Sequence, residues 1–447
     1  MQNLSELTEA LLTAAKNAGA DAADALATEG QSLSIDVRQG ALEQAERAEG
    51  IEIGLRVLVG QKQACVAASD ISADTIAEVA ARAVAMAEIA PEDPHIGLAD
   101  PSEITQDWQI DELDLVDRSA DPLPAELQAV AAEAEAVALN TPGITQSESA
   151  AASFSRTRMH LAATNGFSGG YERTSHGLFC VAITGEGTDM ERDYAGEGRI
   201  YRSDLPTPEE IGALAAERTL ARAGSRKPPT GAFPVLYDER ISSGLIGHLL
   251  QAANGASVAR GGSWLREKLG EQVLPKGLDV VEDPHRTRIS GSKPFDAEGL
   301  ATKARKIVED GILQGWTLDL ATARKLGMAS TASAARGPSG PPSPSLTNIA
   351  LTQGSKSRDE LLADMGTGLL VTSLIGSTIN PTTGDYSRGA SGFWVENGEI
   401  TYPVNECTIA GNLHQMLQSF VPANDARDYL SRVVPSLLVE GMTIAGN

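Results

Sequence analysis

Basic residues are scarce in this chain: 36 Lys and Arg stand against 60 Asp and Glu, a formal charge of −24 over 447 residues. A phosphate backbone is held by Lys and Arg that displace its counterions, so direct nucleic-acid binding is not expected. Cysteine is as sparse. Cys65, Cys180 and Cys407 are odd in number, widely scattered and without a C-x-x-C spacing, which argues against a disulfide framework and a structural zinc cluster and fits a reducing compartment. No apolar run approaches the roughly 20 residues that a membrane-spanning helix requires. The opening MQNLSELTEALLTAAKNAGA lacks a basic segment followed by a solid apolar block, so no secretory leader is expected. These absences together point to a cytoplasmic protein with no membrane partner.

Several catalytic signatures are missing too. No G-x-x-x-x-G-K-[ST], no G-x-G-x-x-G between a strand and a helix and no G-x-S-x-G elbow occurs. Ser290-Gly291-Ser292-Lys293 matches S-x-x-K without companion motifs, and so short a pattern arises by chance. The histidines are His95, His160, His176, His248, His285 and His414, and no two fall within one helical turn. A zincin helix needs two imidazoles on one face and a glutamate to activate the metal-bound water, and this chain cannot build that geometry.

What is present reads as an α+β protein of two parts. Leu4, Leu7, Leu11 and Leu12 recur at helical spacing and predict a helix over 3–18. From Ser32 the period changes: SLSIDVRQG, ALEQAERAEG, IEIGLRVLVG and QKQACVAAS alternate between glycine turns as an antiparallel meander. A helix is predicted over 73–89, a Pro- and Asp-rich linker over about 91–124, and a helix over 125–139. Much of the negative charge is local to this region, with 14 acids against Arg118 between Glu88 and Glu135. A solvated linker and helix face explains it. Alternating strands around an Asn165-Gly166 hairpin follow, then a helix over 208–223 opening with Pro-Glu-Glu. The segment GSRKPPTGAF marks a boundary, giving an N-terminal domain of antiparallel sheet flanked by helices over 1–223 and a C-terminal domain over 230–447. In the latter, FPVLYD predicts a strand, four prolines between Pro338 and Pro344 predict an exposed loop, and the last third is β-rich, a barrel-like or sandwich sheet. There Asn397-Gly398 supplies the two positive-φ positions of a type I′ hairpin.

The stretch LIGHLLQAANG, residues 245–255, puts His248 in an apolar helix, where a core or hinge role is the simplest reading. Its surroundings carry a resemblance. The block LLADMGTGLLVTSLIGSTINPTTGDYSRGASGFWVENGEITYPVNECTIAGNLHQML, the closing PSLLVEGMTIAGN, SSGLIGHLLQAANG and RGGSWLREKLGEQVLP closely resemble the TldD/PmbA family across residues 230–447. The N-terminal part agrees in layout more than in motif. The resemblance implies a two-subunit cytoplasmic peptidase, with an older label of gyrase modulator. In that family the TldD-type subunit carries H-E-x-x-x-H and a distant cysteine that hold zinc, and the PmbA or TldE type is its partner.

Set against that helix, Ile246 stands where the first histidine belongs, Gly247 at the glutamate and Gln251 at the second histidine, with His248 nearby. RDYLSRVVPSLL has no cysteine, and Cys407 lies elsewhere and reads as a small buried hydrophobe. The resemblance is therefore to the PmbA/TldE type. It implies a chain that binds no metal and has no catalytic residue of its own, with zinc held by a TldD-like subunit in a heterodimer acting on peptides or unfolded proteins. A homodimer is expected when the chain is isolated. Ser387, Arg388 and Ser391, around DYSRGASG, are possible cavity-wall residues, and the β-rich last third is where an open strand edge for substrate is expected. Two alternatives stay open: a self-sufficient metallopeptidase with an atypical site, and a non-enzymatic regulator of DNA gyrase.

Overall fold

The computed structural model describes residues 3–105, 108 and 110–446. Its first helix, Leu4–Asn17, is capped by the Asn3 side chain and buries Leu4, Leu7, Leu11 and Ala15, the face that the leucine spacing predicts. It is followed by β1 (Ala22–Arg38), β2 (Ala41–Val59) and β3 (Lys62–Ala68), and then by the helix Ala73–Ile89. The same plan repeats with the helix Pro124–Asn140, β4 (Ile144–Ala163), β5 (Ser168–Thr184), β6 (Glu191–Arg199) and the helix Pro208–Ala221. An antiparallel β1–β4 pairing fuses the two meanders into one six-stranded sheet, ordered β3-β2-β1-β4-β5-β6.

Two expectations shift here. β1 begins ten residues before Ser32, because Ala23, Ala25 and Ala27 line one face of the strand and are fully buried beneath the helices. Small side chains give little hydrophobic contrast, so alternation was silent where packing was closest. Gly50 is no turn. It lies within β2, opposite Gly30, so ALEQAERAEG and IEIGLRVLVG form one 19-residue strand.

In the C-terminal part β7 (Gly231–Tyr237) leads into the helix Glu239–Ala252. A long irregular region follows with β8 (Val280–Glu282), β9 (Arg305–Glu309), β10 (Ile312–Leu313), β11 (Ala334–Ala335), β12 (Ser343–Pro344) and β13 (Ile349–Leu351). Then come β14 (Gly368–Ile379), β15 (Asp385–Glu396), β16 (Glu399–Asn412), β17 (Val421–Pro422), β18 (Arg432–Val433) and β19 (Leu437–Ala445). β16, β15, β14, β7 and β19 are consecutive neighbours, and β16 also pairs with β19, so five strands close into a barrel. The hairpin between β15 and β16 has Asn397 at φ 54 and Gly398 at φ 81, the two left-handed positions that the Asn-Gly pair predicts. The class is α+β, and of the two architectures left open for the last third the barrel is the one formed.

The proline loop departs from its reading as an exposed segment. Pro342 and Pro344 are buried, and the Pro338 backbone packs so tightly on Gly54 of β2 that a Cβ there would lie 2.1 Å from the Pro338 carbonyl. Its neighbour Arg336 is an ion-pair partner of Asp24, which also accepts from Arg56 at 2.6 Å. Beside this charged contact Leu26, Leu161 and Phe167 of the N-terminal sheet pack with Phe295 and Trp108. The two parts share a buried junction, and the proline loop belongs to it.

Candidate functional site

The helix Glu239–Ala252 is the element on which the sequence placed its question. Asp238 caps it, accepting from the Arg240 amide at 3.2 Å, and Ser242, Leu245, Ile246, Leu249 and Leu250 face the barrel core. Ile246 is therefore a core residue, only 1% exposed. On the other side Gly244, Gly247, His248 and Gln251 recur at three- and four-residue spacing and form a second stripe. A Cβ added at Gly244 or Gly247 would meet no heavy atom within 4 Å, and Gln251 is exposed. This stripe is the open face of the helix, with the half-buried His248 in its middle.

His248 meets β15. Its ring lies 5.9 Å from that of Tyr386, edge-on at 71°. Tyr386 and Arg388 are two residues apart and share the inward side of the strand with Ala390. Behind them the Tyr237 hydroxyl is fully buried, bonded to Tyr386 and 3.4 Å from Met442 Sδ. Burial, and after it the positive charge of Arg388, holds the His248 imidazole below its usual range, so it is neutral at neutral pH. Burial raises both tyrosines, keeping them protonated. The Arg388 Nε is buried without a partner.

Of the three cavity-wall candidates, Arg388 alone joins His248. Ser387 points to the opposite side of β15. Ser391, 5% exposed, accepts from Arg222 at 3.0 Å and ties the barrel to the end of the N-terminal domain. Tyr237 and Tyr386 escaped the sequence reading, although the two-residue alternation that places Arg388 inward places Tyr386 beside it. Barrel closure joins β14 to β7 over Leu369–Val371 and β16 to β19 over Thr408–Ala410 only, so the remainder of β14 and of β16 lies outside these two ladders.

These groups do not suit a zinc ion. Ile246 presents hydrocarbon to the core, Gly247 has no side chain, Gln251 is a neutral amide, and the one imidazole neighbours a guanidinium that repels a divalent cation. Among the described residues no three His, Cys, Asp or Glu side chains converge. Cys407 is buried 3.2 Å from the Ala390 carbonyl, and burial pushes its thiol up to about 11, away from the thiolate that a metal needs.

Three family descriptions match along the chain: PmbA/TldA metallopeptidase domain 1 over residues 23–87, the central domain over 117–223 and the C-terminal domain over 230–446. Metalloprotease PmbA of Escherichia coli O157:H7 is 38% identical over 98% of this chain and 96% of its own length. The Haemophilus influenzae PmbA homolog is 35% identical over 100% and 97%. A Bacteroides thetaiotaomicron crystal structure, described as a candidate modulator of DNA gyrase, superposes with a TM-score of 0.91 at 27% identity, over 99% of this chain and 98% of that one. TldE from Thermococcus kodakarensis shares the fold with a TM-score of 0.85 at 19% identity, over 98% and 100%.

Proposed function

This chain belongs to the PmbA/TldD metallopeptidase family, and from that premise we propose that it is the non-catalytic partner in a peptide-cleaving zinc enzyme whose metal is held by a TldD-like subunit. The observation that carries this reading is the composition of the Glu239–Ala252 helix. Where the resemblance asks for His, Glu and His it has Ile246, Gly247 and Gln251, and a core-facing isoleucine cannot be exchanged for a ligand without opening the barrel interior. The unfilled stripe of Gly244, Gly247, His248 and Gln251 supports a helix that faces a partner or a shared chamber, since these small and polar residues let another surface approach closely. Two related subunits meeting about a pseudo-twofold axis would use nearly the same patch on each, so the isolated chain is expected to pair with itself. A cytoplasmic setting agrees with three free cysteines and with the absence, among the described residues, of a helix long and apolar enough to cross a membrane.

The relatives' name, metalloprotease, favours a second reading in which the chain cleaves peptides unaided. Co-expression with the TldD-like chain of the same organism separates the two. The expected result is a mixed complex with one zinc per pair, and peptide hydrolysis that disappears when the partner's histidines are replaced. Two zincs per pair, or chelator-sensitive hydrolysis by this chain alone, would overturn the first reading and support the second. Capture of gyrase by this chain with no TldD-like protein present would point to a regulator instead.

A further inference from the structure

A concave region lies between the N-terminal domain and the barrel, away from His248. It holds a cavity of about 560 Å³ between the Pro208–Ala221 helix and strands β14 to β16, and a second of about 420 Å³ against β5 and β6. Arg218 and Arg240 line both. The walls bring exposed apolar groups together: Ile400 is 47% exposed on one side, and on the other Tyr194 and Phe179 pack with ring centroids 5.2 Å apart.

The charges lining this region are not equivalent. Arg240 is held by Asp193 and Asp238, Arg358 by Asp238, and Glu239 by Arg427. Arg218 has one bond, to the Tyr194 carbonyl at 3.1 Å, and no ion pair within 4.0 Å among the described residues. Burial and the adjacent Arg240 lower its proton affinity, the expected mark of a cation whose nearest acids serve other arginines. Glu217, exposed at the rim, opposes a second negative charge on anything bound.

We propose that this interdomain cavity binds a monocarboxylate with an apolar or aromatic body, the carboxylate on Arg218 and the body against Ile400 and the barrel wall. A guanidinium pairs with a carboxylate through two parallel N–H bonds, and in this mixed pocket Arg240 and Arg358 are already paired with acids, while Phe393, Ile400 and Pro403 supply the apolar wall. The acid has two sources, the C-terminus of a peptide or a free organic acid. The proposal does not depend on the subunit reading above.

Calorimetric titration of the full chain with Ala-Ala-Phe and with 3-phenylpropanoate, each beside its carboxamide, tests it and tells the sources apart. At least one acid should bind, about tenfold tighter than its amide, through a single charge-assisted pair. Arg218→Met should erase that preference, and Ile400→Ser should weaken acid and amide alike while leaving their ratio unchanged. Circular dichroism and melting curves of both variants show whether they are folded. Binding of Ala-Ala-Phe alone identifies a peptide terminus, and binding of 3-phenylpropanoate alone a free acid. If neither acid binds, if the amides bind equally well, or if folded Arg218→Met keeps the preference, the proposal fails.

Discussion

His248 is half-buried and lies near the Arg388 guanidinium, and both facts bear on its proton. Its folded-state affinity is lowered, so as pH falls through the ordinary value of 6.5 the unfolded chain takes up a proton that the folded chain resists. Stability tied to this group is thus complete above about pH 7 and is lost on acidification. His248→Gln should flatten the decline in melting temperature between pH 7 and pH 5 relative to the parent. Equal declines would mean that the imidazole titrates normally. Sequence spacing located this histidine and ruled out a second one within a helical turn. It did not show that Tyr386 and Arg388 come from 138 and 140 residues further along to meet it, because such a contact is made only when the barrel rolls up.

At the scale of elements, the Glu239–Ala252 helix was legible from its periodicity and its Asp238 cap, whereas the use of each face was not. Glycine in a helix interior costs about 0.5–1 kcal/mol relative to alanine. At Gly244 and Gly247 an added methyl meets open space, so the double variant Gly244→Ala/Gly247→Ala should melt several degrees higher in the isolated chain. A lower melting point would show that the stripe is already packed. If the stripe faces a partner, the same variant should weaken the mixed complex in size-exclusion runs while stabilising the free chain. The strands divide in the same way. Asn397-Gly398 announced its hairpin because a type I′ turn demands positive φ at two successive residues, while the start of β1 was hidden among alanines whose burial depends on the helices above them.

On the scale of the whole molecule, the domain junction holds buried charge that no local pattern foretells. Burial, and next the Asp296 carboxylate, pushes Glu298 up to about 8. The folded chain keeps a proton there that the unfolded chain releases above its ordinary 4.5, so stability declines as pH rises from about 4.5 to 8. Glu298→Gln retains an oxygen for the Leu320 amide, 2.9 Å from the carboxylate, and removes the titration. Its melting temperature should exceed that of the parent by more at pH 8.5 than at pH 5. A constant difference would place the Glu298 carboxylate in its ionised form in the folded protein.

The amino-acid order by itself determined the α+β class, most helices, the Asn-Gly hairpin and the lack of a second histidine within a helical turn of His248. These follow from side-chain identity, from periods of two and 3.6, and from turn residues, all of which act over a few positions. Barrel closure, the docking of the proline loop on Gly54, the pairing of His248 with β15 and the unmatched Arg218 were decided by tertiary structure. Each depends on segments distant in the chain burying surface against one another, and short-range patterning carries no record of which distant segment will arrive.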